Sequence, residues 1–373
     1  MTLADLVLAT RVTLLDRYLG GRMLATLIKT IVSLVLLFIL VDFLTQRRNE
    51  MLRRDVPWDM MIGYYALSIP KILAKYQVAS LSVLASALLV FGQAAQNNEV
   101  TAALAGGISL RRIARMPVLI AVALAIGMFL FEDTLGAASN RALERLEARY
   151  FPNNQQRERP GTTWPYLENG WTCHIMKFNR AALTGERVLM HSFREDAVEQ
   201  ITAKRIYWDD AVREWLIEDG GWLVLDPKRE WQGPVNRVTQ QAAPINETPE
   251  ELFALDEPPE TKSLNSMRAD IHRAERRGVP VRGHWTDFHA KLSEPALCFI
   301  MIFLAIPFAI RLNRGGLAIG LGVSVAVALL YLVLSRVAIG LGHIDRAPPL
   351  LAAWMTNVLF LVVGLVLLRK TPT

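Results

Sequence analysis

The chain has 373 residues, 52% of them hydrophobic and 20% charged, with a formal net charge of +6 and a mean hydropathy of +0.25. This is too apolar for an ordinary soluble enzyme and too charged for a protein lying wholly inside a membrane. A membrane protein with a substantial water-exposed part is expected.

The chain starts with "LADLVLATRVTLLDRYLGGRML", which alternates apolar and polar residues at helical spacing and is interrupted by Arg11, Asp16 and Arg17. An interfacial helix leading into a first span is predicted. A cleavable leader is not expected, because no apolar core of the needed length precedes the arginines and the first ten residues carry no positive charge. A helix needs about 20 apolar residues to cross about 30 Å of hydrocarbon. Runs of that kind extend from about Met23 to Leu44, Met60 to Gly92 and Pro117 to Leu135, then from about Pro295 to Ile310, Leu317 to Leu341 and Leu350 to Leu368. Six spans grouped three and three are the economical reading.

Lys and Arg in short loops set orientation. Arg11, Arg17, Arg22, Arg111, Arg112, Arg115, Arg311, Arg314, Arg369 and Lys370 share one side, which is expected to be cytoplasmic together with both termini. The opposite loop, "TQRRNEMLRRDVPWD", carries Arg47, Arg48, Arg53 and Arg54 against the rule, which suggests an anionic partner there. Between the second and third spans, "NNEVTAALAGGISLRRIARMP" predicts a short cytoplasmic helix ending near Gly106 and Gly107. Its small residues Ala102, Ala103 and Ala105 would admit another protein's surface, and Glu99 offers a charged anchor; a plain connecting turn is the alternative.

After the third span, "NRALERLEARYF" is helical. Short alternating runs follow, "WTCHIMKFNR", "ERVLMHSFRE", "QITAKRIYWDD" and "REWLIEDGGWLVLD", bounded by Gly, Asn, Asp and Pro as antiparallel strands are. An all-β domain, a small sandwich or open roll, is expected on the non-cytoplasmic side. A helix over Ser263–Arg277, stopped by Gly278 and Pro280, and another from about Trp285 lead into the fourth span. The predicted divisions are residues 1–135 (membrane), 136–285 (β domain with helical linkers) and 286–373 (membrane).

Motifs for chemistry are missing from the sequence: it has no G-x-x-x-x-G-K-[ST], no H-E-x-x-H and no G-x-S-x-G. Cys173 and Cys298 fall in different environments and predict no disulfide, and His284 and His289 lie off a common helical face. Glu132/Asp133 and Asp209/Asp210 are adjacent pairs whose side chains diverge. Ionisable residues within or beside spans are more telling, because they are costly there. Lys71 and Lys75 lie four apart on one face, Asp42 near the outer end of the first span and Arg336 near that of the fifth. With Arg47 and Arg48 they suit phosphorylated or carboxylated lipid headgroups; snorkelling without a ligand is the alternative.

The stretches "LDRYLGGRMLATLI", "SIPKILAKY", "NNEVTAALAGGIS" and "HAKLSEPALCFIMIFLAIPFAIR" resemble, in order and spacing, the LptF/LptG permeases of lipopolysaccharide export. "LDRY" followed by glycine, and "LNSMRADIHRAERRGVPVRGHWTDFHAKL", look more like LptG. The resemblance implies a polytopic α-helical membrane protein with six transmembrane helices and an inserted periplasmic all-β, jellyroll-like domain, in the bacterial inner membrane. It implies an ATP-driven export subunit without catalysis or cofactor of its own, since ATP and Mg bind to an LptB-like ATPase dimer gripped through the helix at Glu99, with Ala102, Ala105, Gly106 and Gly107. A paralogous LptF-like permease, an LptC-like anchored protein and an LptA-like bridge are the other implied partners, with lipopolysaccharide as cargo and no nucleic acid. Lys71 and Arg48 match positions implied to meet substrate. Asp42 stands where LptG typically has lysine, so the substrate-facing set becomes Asp42, Arg47, Arg48, Lys71, Lys75 and Arg336. Two rivals come from other classes: a non-transporting envelope scaffold with a docking β domain, and a secondary transporter driven through Asp42 or Glu132.

Overall fold

The computed structural model describes residues 14–53, 56–150, 158–164, 167, 169–180, 182–193, 198–225, 236–254, 257–311 and 316–370. In chain order its first helices are α1 (Leu14–Asp42), α2 (Arg48–Arg53), α3 (Trp58–Leu73), α4 (Val78–Gln96), α5 (Glu99–Ala105), α6 (Leu110–Phe131) and α7 (Ala137–Tyr150). Five-residue π-helical turns, Phe43–Arg47 and Glu132–Gly136, follow α1 and α6. Strands β1 (Glu158–Trp164), β2 (Trp171–Asn179), β3 (Thr184–Phe193), β4 (Val198–Asp209), β5 (Glu214–Leu225) and β6 (Asn236–Ala242) come next. Then come α8 (Pro249–Phe253), a 3-10 turn (Pro259–Thr261), α9 (Leu264–Arg276), α10 (Arg282–Ser293), α11 (Ala296–Arg311), α12 (Gly316–His343) and α13 (Pro349–Arg369). The chain divides into two compact units, one of Met1–Leu143, Pro259–Leu264 and Arg282–Thr373, the other of Glu144–Pro258 and Asn265–Val281.

The first unit is helical. Among the described residues, five helices are long and apolar enough to cross a membrane, and α10 with α11, bent by 54°, makes a sixth if the pair is one span. Helix α4 is the hub, with 78% of its apolar window buried against 11–33% for the other four. Its sequence, "VASLSVLASALLVFGQAAQ", explains this position, because small residues let neighbouring backbones approach closely. Two of its serines are satisfied within the helix: Ser82 donates to the Val78 carbonyl at 2.7 Å and Ser86 to that of Val83 at 3.1 Å, while Ser80 lies 3.3 Å from Cys298 Sγ on α11. Helices α1, α11 and α12 pack around it. On their outer faces α1 leaves Leu36, Leu37 and Leu40 exposed, and α12 leaves Val333 and Val337 exposed, surfaces suited to hydrocarbon.

Two expectations change. The run from Met60 to Gly92 is not one helix but two, α3 and α4, separated by a turn at residues 74–77 in which Gln77 is left-handed at φ 56°. Pro70 has no amide hydrogen to hold the last turn of α3, and the break lets Lys75 reach Glu260. The first half of the expected interfacial helix, residues 3–13, lies outside the described residues. Its second half, Leu14–Leu24, is the first part of α1, continuous with the span.

In the second unit the six strands form one antiparallel sheet in chain order. The sandwich or open roll expected from the strand pattern is thus, among the described residues, a single meander. Alternation buries one face: Cys173 and Ile175, Met190, Ile201, Trp215 and Ile217 are at most 1% exposed. Trp164, Phe178, Trp215 and Phe253 meet there edge to face or tilted, 5.2–6.4 Å apart. Gly185 is required beneath them, since a Cβ would lie 2.6 Å from Ile175 Cγ2. A capping box of Thr248 and Glu251 starts α8. On the opposite face a groove of about 890 Å³ is lined by Met176, Leu189, Arg187, Lys204 and Arg237 among others.

Helix α12 comes closest to α10 and α13 at Gly342, where an added Cβ would lie 2.6 Å from Thr286 Cγ2 and 2.8 Å from Ala352 Cβ. Thr286 is fully buried and has nowhere to move. Gly342→Ala is therefore expected to destabilise the purified protein by about 1–3 kcal/mol through overpacking, read as a lowered thermal midpoint in detergent.

Candidate functional site

Two adjacent tyrosines in the middle of α3 meet the end of α1 and the turn after it. Tyr65 donates to Asp42 Oδ2 at 3.2 Å. Arg47 donates through Nε to the Tyr64 hydroxyl at 3.1 Å and lays its guanidinium 5.1 Å from that ring's centroid. The π-helical turn at Phe43–Arg47 widens the helix at this point and presents Arg47 to α3 while Arg48 stays exposed. Lys71 lies two turns beyond Tyr64, at i+7 and so on the same face of α3. The structure thus ties Asp42 and Arg47 to α3, the helix that carries Lys71.

Lys75 sits on the turn between α3 and α4 and forms an ion pair of 2.6 Å with Glu260. Glu260 belongs to a six-residue strap, Pro259–Leu264, whose main chain is held from several helices. Asn140 donates to the Glu260 carbonyl at 3.0 Å, Arg141 to that of Thr261 at 2.7 Å, and the Leu264 amide donates to Asp133 Oδ1 at 2.6 Å. Lys291, only 6% exposed, donates to the carbonyls of Pro259, at 3.3 Å, and Lys262. Glu132, equally buried, lies within electrostatic range of Lys291. Glu294, between α10 and α11, feels Glu132, Arg336, Glu260 and Lys291. Arg336 is exposed on α12 and acts on Glu294 through its charge; the structure does not bring it into contact with Lys71, Lys75, Arg47 or Arg48. Burial alone would push the Glu260 carboxyl up; the hydrogen bond and charge of Lys75, with the charge of Lys71, outweigh it and hold the group below the ordinary glutamate range.

At the other end of α1, Glu99 opens α5. Arg22 reaches it at 3.1 Å, Asn97 donates to it at 3.2 Å and Tyr18 at 3.4 Å. Arg22 also donates to Gln93 on α4 at 2.9 Å. The predicted anchor is thus tethered within the chain to α1. Ala102, Ala105, Gly106 and Gly107 are exposed, while Val100 is buried among the spans, so the small residues form an open surface. Gly107, at φ 79°, adopts a conformation that glycine takes without strain and so ends the helix.

A sequence model of the family described as lipopolysaccharide export system permease LptF/LptG matches residues 17–370. The chain belongs to this family. LptF/LptG proteins are permease subunits of lipopolysaccharide export in the inner membrane; they work with other subunits and are not themselves catalytic. No curated protein matches the chain at a significant level. In this LptF/LptG permease Asp42 and Arg47 are tied to α3, Lys75 is paired with Glu260, and Glu99 is tethered to α1. Sequence reasoning passed over Tyr64, Tyr65, Arg22, Glu260, Lys291 and Glu294. Of these, the acidic residue after two prolines in "DEPPETK" carried a signal, because prolines fix the chain and leave a carboxylate displayed.

The depressed carboxyl of Glu260 has a definite sign. Its pairing stabilises the fold above the unfolded value of about 4.3, and that contribution is lost as pH falls through the lower folded value. In Lys75→Met the charge of Lys71 and a main-chain hydrogen bond still oppose burial, so the folded value moves up and the gain in stability with rising pH near 4–5 should shrink. Thermal midpoints of the two proteins across that range check the loss; parallel curves would show that the pair contributes nothing.

Proposed function

We propose that this LptF/LptG permease is the LptG-like half of an ATP-driven exporter that takes lipopolysaccharide from the outer leaflet of the inner membrane. In this reading the termini and α5 are cytoplasmic, and the sheet is the described part of a periplasmic, jellyroll-like domain. An LptB-like ATPase dimer binds ATP and Mg and grips α5 through its exposed small residues and Glu99. An LptF-like paralogue completes the cavity, and LptC-like and LptA-like proteins receive the lipid. Arg47, Arg48, Lys71, Lys75 and Arg336 meet phosphates of the headgroup, with Asp42 holding Tyr65 and hence the tilt of α3. The groove on the open face of the sheet, with Met176 and Leu189 between Arg187, Lys204 and Arg237, suits an acyl chain flanked by its charged head.

The observation that carries this reading is that α1 is held at both of the candidate sites. From Arg22 to Asp42 a helix covers about 30 Å, with Glu99 gripped near one end and Asp42 and Arg47 fixed to α3 at the other. A partner that moves α5 therefore pulls on a stiff rod whose far end carries cations. The links are polar and individually weak, on the order of 1 kcal/mol each, which suits a joint that must be remade in every cycle.

Glu99→Ala should reduce co-purification of the ATPase while membrane insertion is kept; undiminished recovery of the ATPase would remove the grip from the account. Reversal of Arg47, Arg48 and Lys71 to Glu should sharply lower photocrosslinking to lipopolysaccharide from probes on α1 and α3, and unaltered yields would favour the scaffold reading, in which the spans only anchor.

A further inference from the structure

We infer that the Glu260 carboxylate is a resident counter-ion for Lys75, exchanged for a phosphate of the incoming lipid, and that this exchange selects phosphomonoester headgroups over phosphodiesters. The inference rests on the reading that the cations of α3 and the turn after it meet the lipid headgroup.

Three features carry it. First, the pair is reachable: the side chains of Lys75 and Glu260 are 35% and 25% exposed, and their contact is a single 2.6 Å bond. Second, the two partners are held unequally. The Glu260 backbone is fixed by Asn140, and its neighbours by Arg141, Lys291 and Asp133, without any help from Lys75. Lys75, by contrast, rides on the non-helical turn between α3 and α4. The carboxylate therefore stays in place when the lysine swings out, and it recaptures the lysine when the ligand leaves.

Third, the exchange is charge for charge. Lys75 already holds one full negative charge at 2.6 Å, and Lys71, one helical turn before it, adds a smaller attraction on the same carboxylate. A ligand that carries one negative charge, such as the phosphodiester of an ordinary glycerophospholipid, offers the lysines no more than Glu260 already supplies and must displace it without gain. A phosphomonoester carries about −1.5 to −2 at neutral pH and three acceptor oxygens, enough to satisfy both lysines. Glu260 thereby sets a threshold that the surrounding phospholipid fails and a phosphorylated sugar lipid passes. Its own charge, left beside the bound phosphate, then opposes tight retention, as a transporter that must release its cargo requires.

The test uses the full chain, co-purified with its partner subunits, and two competing probes: diphosphoryl lipid A and phosphatidylglycerol. Binding is measured for the unmodified protein, Glu260→Gln, Lys75→Ala and Glu257→Gln, the last removing the same charge from an exposed position three residues earlier. With Glu260→Gln, phosphatidylglycerol binding should rise more than lipid A binding, so that the preference for lipid A falls several-fold. Glu257→Gln should leave the preference unchanged, and Lys75→Ala should weaken lipid A binding. An unchanged preference in Glu260→Gln, with Lys75→Ala still impairing lipid A, overturns the exchange while sparing the headgroup reading. Lipid A binding indifferent to Lys75→Ala overturns that reading itself. An equal effect from Glu257→Gln reduces the result to general electrostatics and also overturns the exchange. Should Glu260→Gln fail to fold, Glu260→Asp keeps the charge but shortens its reach; it should lower the preference partway, and a full preference would contradict the inference.

Discussion

A charge within an apolar helical unit is expensive unless another group compensates it, and the membrane unit of this permease is organised around that cost. Arg22 and Lys75 meet carboxylates, Glu99 and Glu260, and Arg47 meets the Tyr64 hydroxyl, while Arg48 stays exposed. The apolar framework makes these pairings possible. Helix α4 buries almost its whole circumference because its alanines and serines take little room, and the helices around it are left to carry polar groups at their ends. The same cost explains why α3 and α4 are separate helices. A continuous span would hold Lys75 within the apolar run, whereas the turn brings it to Glu260 on the Pro259–Leu264 strap.

The permease has its ionic groups at the two ends of one long helix. At one end a carboxylate holds α1 to a short helix with an open, small-residue surface. At the other, a hydrogen bond from Tyr65 to Asp42 and one from Arg47 to Tyr64 hold it to the helix bearing Lys71. This arrangement accounts for the lack of any nucleophile, metal motif or phosphate loop in the sequence. Positioning and electrostatics are all the chain must supply if the chemical work is done by another subunit.

Much of this was legible in the sequence. The apolar runs and the β segment could be read because hydropathy and period-2 alternation are local properties, and the helix at Glu99 because its glycines mark its end. The break after Pro70 was hidden, since averaging over a long window dilutes two lysines among leucines and isoleucines. The partners of those lysines were hidden for another reason. Glu260 is 185 positions from Lys75 and Lys291 is 159 positions from Glu132, and no local pattern records contacts that only tertiary folding creates. Lys75 read as a cation awaiting a ligand; the structure shows it already holding a carboxylate. Arg336, read as a neighbour of the other cations, is exposed on α12, where its charge acts on Glu294, an acid the sequence did not single out.

The central claim is that the cations of α1, α3 and the turn beyond it are where the lipid's phosphates rest during export. A density map of the assembled exporter with lipopolysaccharide bound, sharp enough to place phosphorus, tests this most directly. The account requires a phosphate within about 4 Å of the Lys71 or Lys75 ammonium, with the Glu260 carboxylate turned away from Lys75. A map in which the phosphates lie only at the opposite ends of the spans, beside Arg111 and Arg115, with the Lys75 and Glu260 pair intact, would contradict it.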